Sequence, residues 1–357
     1  MYIWSPLPRS LAATFRDVQS RKPHVRLSAV ADLVRWAEGE ERERCIAELV
    51  QLLGRDPDLE VRAAAALALA DAAAAESLGP LIAAAEHGSP RVRQMALVAI
   101  GELAEPGEPG ALIALRASLR SELPALRFQA LVAAHRLLEE PALQPELERA
   151  LADDEAKVRY VACRIAEERY FAPGSVAKPA AACAAVLAAL SELLGDPDPA
   201  VALAAAIPLA RSGSERARDC VVKALNRSRG SAQLEDEQAA IELCADLGLR
   251  AAGPGLMARA WGGWLGASPL AFQARVALAR LGDARACGHI LRELSSWSRD
   301  TRTRAVAAAG QARLETARQR LLEMRGDERQ ADPESVSEAL RALDLAAPPS
   351  RSELGRS

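Results

Sequence analysis

Two apolar patterns alternate along the chain. In the first, apolar residues recur at helical spacing with charges between them, as in Cys45-Ile46-Ala47-Glu48-Leu49-Val50-Gln51-Leu52-Leu53. That spacing predicts an amphipathic helix with one buried face. In the second, the helix has little polar surface, as in Val92 to Leu103. A helix with so little polar surface must be covered on both sides, which a stack of helix pairs provides and a lone pair does not. Between the two stands a turn carrying Gly, Asp or Pro: Gly54-Arg55-Asp56-Pro57, Gly88-Ser89-Pro90, Gly195-Asp196-Pro197-Asp198-Pro199 and Gly266-Ala267-Ser268-Pro269. Glycine past one helix end and proline at the next helix start are the expected asymmetry. An acid or serine before that proline is placed to cap the second helix.

The turn and its second helix return throughout the sequence. Aligned on Val61, the equivalent residues are Val25, Val92, Leu126, Val158, Val201, Asp236, Leu270, Thr301 and Ser335, at intervals of 31 to 43 residues. Four residues further on stand Ala29, Ala65, Ala96, Ala130, Ala162, Ala205, Ala240, Ala274, Ala305 and Ala339. Leu126-Arg127-Phe128-Gln129-Ala130 and Leu270-Ala271-Phe272-Gln273-Ala274 agree still more closely. A period near 34 residues predicts an all-α chain, an α-solenoid of about ten stacked helix pairs.

The phrase Asp-Pro-x-x-x-Val-Arg-x-x-Ala at this period resembles the HEAT repeat, in particular the short bacterial variety also found in phycobilin lyases. The resemblance runs from about residue 10 to residue 345. It implies a superhelix whose second helices line a concave face and whose first helices form the back. The expected organisation is an N-terminal extension at 1–9, a HEAT-like α-solenoid at 10–346 with an inserted loop at about 170–180, and a disordered tail at 347–357. The 43-residue interval holds the insertion, Tyr170-Phe171-Ala172-Pro173-Gly174-Ser175-Val176-Ala177-Lys178-Pro179, whose prolines and glycine read as a loop. Pro208 lies within a second helix, where it is expected to kink or end it.

Composition agrees with close helix stacking. Of 357 residues, 50% are hydrophobic but only 3% aromatic, so small alanines and leucines make the core. Alanine is the best helix former. A net charge of −3 offers no overall attraction to nucleic acid or an anionic membrane. Apolar stretches are broken before the ~18 residues that a membrane span needs. No basic segment and apolar run mark the N-terminus as a secretory signal. Six cysteines, at 45, 163, 183, 220, 244 and 287, lie far apart and read as small buried thiols of a reducing compartment, the cytoplasm.

The candidate chemistry is thin. The residue after the aligned valine is arginine at Arg26, Arg62, Arg93, Arg127, Arg159 and Arg302, and is replaced at Ala202, Glu237, Ala271 and Val336. The ladder is read as structural, each guanidinium tying a turn acid or carbonyl to its neighbour; the alternative is a positive strip for an acidic partner. Partner-binding candidates are Tyr170, Phe171 and Lys178 in the insertion, which is free of packing obligations. Trp261 and Trp264 join them, three residues apart around two glycines. Trp36 and Trp297 are expected to pack. Two basic clusters, Arg216, Arg218, Lys223, Arg227 and Arg229, and Arg299, Arg302, Arg304, Arg313, Arg318 and Arg320, are read as solvated surface because acids intervene.

Enzymes built on this repeat offer contrasts. HEAT-like iron hydroxylases carry His-Glu pairs, whereas His24, His87, His135 and His289 are not followed by glutamate. No catalytic residue, metal site or cofactor is therefore assigned, and no phosphate loop, nucleophile elbow or zinc-ligand spacing is present. The favoured function is a non-catalytic scaffold binding another protein along the concave face and insertion, with no membrane partner. The alternatives are a nucleic-acid-binding protein resembling HEAT-like DNA glycosylases, for which Trp261 and Trp264 near arginines are a faint echo, and third a phycobilin-lyase-like chaperone.

Overall fold

The computed structural model describes residues 9–171, 180–227, 233–262 and 268–346, which hold twenty α-helices and no strand. Lys178, Trp264, Arg229 and the tail at 347–357 lie outside the described residues, as do most of the N-terminal extension and residues 172–179 of the insertion. The chain forms two compact units, residues 1–189 and 190–357.

In the first unit, helices pair as α1 (Leu11–Asp17) with α2 (Pro23–Trp36), α3 (Arg42–Arg55) with α4 (Leu59–Asp71), and α5 (Leu78–His87) with α6 (Pro90–Leu103). Then come α7 (Pro109–Ser118) with α8 (Pro124–Leu137), α9 (Leu143–Leu151) with α10 (Ala156–Ala166), and α11 (Ala180–Glu192). The second helices pack on one another in sequence, α2 on α4, α4 on α6, α6 on α8 and α8 on α10. The first helices α3, α5 and α7 make the other layer.

The second unit has α12 (Pro199–Arg211), then α13 (Glu215–Asn226) with α14 (Leu234–Asp246), and α15 (Gly253–Trp261) with α16 (Ala271–Arg280). It ends with α17 (Ala284–Glu293) and α18 (Arg299–Gln311), then α19 (Arg318–Met324) and α20 (Pro333–Ala346). Here too the second helices α12, α14, α16, α18 and α20 form one row, and α13 lies on α15 in the other.

The aligned alanines are the reason the rows close. Nine of the ten are 0% exposed, and Ala339 is at 3%. Each is buried on a second helix of a row in which second helices pack on one another, and a larger side chain there would overpack it. Two glycines sharpen the point: a Cβ on Gly101 would stand 2.9 Å from Cβ of Ala133, and one on Gly310 2.7 Å from Cα of Ala339. The acid caps form as the turns predict. Asp58 Oδ1 accepts from Glu60 N at 3.0 Å and Val61 N at 3.2 Å, and Asp198 Oδ1 accepts from Ala200 N at 2.8 Å. Ser89 caps nothing; proline and burial suffice to start α6 there.

Two expectations are corrected. Of the kink or end expected at Pro208, the end is not found: α12 continues three residues to Arg211, because Leu203 to Ala210 are buried without a break and packing outweighs the missing N–H. The insertion does not start as a loop at Tyr170. Helix α10 is prolonged by a π-helical turn, Glu167–Phe171, that turns Tyr170 inward to 6% exposure.

The turns that close α4, α12, α14, α16 and α18 follow a rule invisible in the apolar pattern. The N–H of Ala74, Ser214, Leu249, Asp283 and Leu314 each reaches the carbonyl five residues back, at 2.8–3.0 Å. This Schellman closure needs one left-handed residue. Gly213, Gly248 and Gly282 supply it, but in two turns Ala73 (φ 48°) and Arg313 (φ 51°) do so at a steric cost. Ala73→Gly is therefore expected to raise stability, and Gly248→Ala to lower it, each by about 1 kcal/mol in urea unfolding.

Candidate functional site at a missing arginine

The ladder arginines sit on the first turn of each second helix and point back over the turn they have just left. Arg26 Nη1 donates to Ser20 O at 2.8 Å, Arg127 Nη1 to Ser121 O at 2.9 Å, Arg159 Nη1 to Asp153 O at 2.7 Å and Arg302 Nη1 to Ser296 O at 2.6 Å, always six residues back. Arg62 Nε reaches Leu53 O at 2.8 Å and Arg93 Nε reaches Ala85 O at 2.9 Å, within their own pair.

Arg26, Arg127 and Arg302 also reach the next turn. Arg26 holds both carboxylate oxygens of Asp56 at 2.7 Å, with the side chains 9% and 2% exposed. Arg127 holds Asp153 in the same bidentate way at 2.7 Å. Arg302 finds no acid and uses two carbonyls, Gln330 O at 2.6 Å and Arg329 O at 2.7 Å. The acids are themselves turn-formers: Asp56 accepts from Asp58 N at 2.8 Å, and Asp153 from Glu155 N at 2.9 Å. Each brace thus fixes two turns and the distance between them.

Where the arginine is absent, the second unit changes. At the next aligned position Glu237 takes the arginine's place and the brace is reversed. Arg259 on α15, buried at 4%, donates from Nε to Glu237 and from Nη1 to Leu225 O at 2.6 Å and Gly255 O at 2.9 Å. Gly255 is required for this approach, since a Cβ there would fall 2.2 Å from Leu225 O.

At Ala202 no arginine is supplied, and a cavity of about 570 Å³ opens beside it. The corresponding hollows beside Arg26 and Arg127 measure about 220 and 50 Å³. The cavity is walled by Asp196, Pro197, Ala202, Leu203, Glu237 and Arg259, and along α13 by Arg216, Cys220, Lys223 and Arg227. Three members of the first basic cluster, read from sequence as solvated surface, are therefore brought to one hollow.

A family model described as HEAT repeats matches residues 46–136. The pairs immediately on either side repeat the buried alanine and the arginine, as Ala29 with Arg26 and as Ala162 with Arg159. No curated protein matches the chain. Among solved structures, Kap121p bound to RanGTP superposes with a TM-score of 0.50 at 16% identity, over 94% of this chain and 40% of that one. Kap121p bound to Pho4p reaches 0.49 at 15% identity over 94% and 41%. YIBA_ECOLI reaches 0.45 at 16% identity over 91% and 99%. This chain spans about two fifths of the Kap121p chains, and at these identities the likeness is one of fold.

Around the HEAT pairs, the other candidates are placed as follows. Tyr170 is not a free anchor: its hydroxyl donates to Glu140 Oε1 at 2.8 Å, its ring lies 6.2 Å from that of Phe171, and Arg169 Nη2 donates to Leu138 O at 3.1 Å. Burial, with Glu140 beside it, pushes the phenol up. Phe171 stays half-exposed. Trp261 ends α15, half-buried, with the Arg285 guanidinium 4.2 Å above its ring.

Trp297 contradicts its expected packing role. It projects from the turn before α18 at 95% exposure. The second basic cluster is largely occupied: Arg299 Nε donates to Glu328 O at 2.7 Å, Arg318 binds Glu315 and Asp344, and Arg320 pairs with Glu323. All six cysteines are free thiols; Cys45, Cys163 and Cys244 are buried, while Cys183, Cys220 and Cys287 are half-exposed. Burial pushes Cys244 up to about 12.

The bidentate brace carries a pH dependence. Burial alone raises the Asp153 carboxyl, but the Arg127 guanidinium and the Glu155 N–H outweigh it and hold the carboxyl below the usual range. A depressed folded pKa contributes stability above the unfolded value, lost as the pH falls through the folded one. Asp153→Asn is expected to cost about 1–3 kcal/mol at pH 7. In acid the variant and the natural protein are expected to converge, as read from urea midpoints across the acid range.

Proposed function

We infer that the protein is a non-catalytic scaffold that binds another protein. The observation that carries this reading is Trp297, an indole 95% exposed on a turn whose flanking helices are held by the stack. Large aromatics are rarely left fully in water, and tryptophan is the residue most enriched among binding hot spots. A rigid turn presents it at little entropic cost. The repeat fold supports the same reading, since Kap121p, of like fold, is a protein that holds RanGTP. No helix among the described residues is long and apolar enough to cross a membrane. Six free thiols support a reducing compartment, the cytoplasm, as its location.

The test is capture of a partner from extract of the native cell, followed by titration of the purified pair. Trp297→Ala is expected to weaken that affinity about 30-fold, the size of a hot-spot loss of ~2 kcal/mol. It is expected to leave the melting temperature unchanged, because the indole buries almost nothing. Equal affinity in the variant, or no partner at all, overturns the reading.

A further inference from the structure

We propose that the cavity beside Ala202 is the docking site for an acidic, extended peptide segment of the protein partner, a reading that rests on the scaffold function above. The cavity stands where the ladder is interrupted. Beside Arg26 and Arg127 a guanidinium fills the same hollow, whereas beside Ala202 about 570 Å³ stays open.

Its open wall is cationic. Arg216, Lys223 and Arg227 make no ion pair or side-chain hydrogen bond among the described residues, unlike the ladder arginines. The acids of the lining are already engaged: Glu237 pairs with Arg259, and Asp196 accepts from Asp198 N at 2.8 Å. A site with three uncommitted cations attracts carboxylates and repels a basic segment.

The spacing narrows the ligand further. Arg216, Cys220, Lys223 and Arg227 follow one face of α13, whose last turn passes into Arg227. From Arg216 to Arg227 the helix rises roughly 16 Å. That span is too long for one phosphate or carboxylate to bridge, and is matched by about five residues of extended chain. The hollow offers no aromatic ring among its described lining residues, so it lacks the stacking surface on which single-stranded nucleic acid depends. Pro197, Pro199, Ala202 and Leu203 give the segment an apolar floor between its charges.

The experiment uses the full chain and a fluorescein-labelled hexaglutamate peptide, titrated by anisotropy at low and at physiological salt. Binding is expected, weakening steeply as salt screens the contacts. Two variants remove it by different routes. Arg216→Ala with Lys223→Ala and Arg227→Ala deletes the cations; Ala202→Met narrows the hollow with an uncharged side chain. Each is expected to weaken hexaglutamate binding at least tenfold, with the melting temperature unchanged in the first and unchanged or raised in the second. Arg304→Ala, a charge removal elsewhere on the second unit, serves as control and is expected to bind as the natural protein does.

Equal binding by all four forms overturns the proposal, and so does tighter binding of a hexathymidylate than of hexaglutamate. The scaffold reading is separable. Hexaglutamate binding lost in both variants, with no partner captured by any form, leaves the site standing and removes the scaffold. Capture that persists in the triple variant, with no hexaglutamate bound by the natural protein, does the reverse.

Discussion

A guanidinium reaching six residues back to a turn carbonyl is the contact on which the rest of this structure depends. It places the arginine head over the turn between the two helices of a pair. From there, in Arg26 and Arg127, the same head takes the acid of the following turn in a two-pronged bond. A charge-assisted bond of this kind contributes about 1.5–3 kcal/mol. Its larger effect is geometric: the planar fork fixes both distance and orientation. Buried alanine on the second helices sets how closely the pairs approach, and arginine sets how their turns register.

The interruptions show what the brace does by what replaces it. At Glu237 the polarity of the pair is inverted, and Arg259 returns from the following first helix to the place an arginine would have left. That exchange preserves the lock between α13 and α15, with Gly255 giving way to Leu225 O. At Ala202 nothing returns, and space remains where side chain would be. The hollow of about 570 Å³ that remains is open to solvent along α13. Its cations make it polar enough to stay wet when empty.

The aromatic residues divide by the same physics. Tyr170 is drawn inward because a phenol can bury its ring and still donate its proton, here to Glu140. Trp261 shields one ring face with Arg285. Trp297 has neither device, so its indole stays in water and is available to another surface. With the braced turns, this leaves the second unit carrying both an exposed apolar anchor and a cationic hollow.

Much of the fold was legible in the sequence because helix pairing is encoded locally. The alternation of one-sided apolar helices with helices of little polar surface, the Gly-Asp-Pro turns and the alanine four residues past Val61 each act within a single repeat, so a period of near 34 residues suffices to read them. Local rules also misled where packing outweighed them: Pro208 did not stop α12, and Tyr170 did not begin a loop. The site was half legible. The substitution Ala202 and the cations Arg216, Lys223 and Arg227 were visible as letters, but nothing in one repeat says that they share a hollow. Arg259, Gly255 and the exposure of Trp297 depend on residues some 20 to 35 positions away, or on the absence of any neighbour. The sequence alone determined the paired-helix architecture, because each pair's apolar face and turn are written in consecutive residues. Only the tertiary structure decided where charge and space were left over, because those are differences between one repeat and the next that appear once the repeats are stacked.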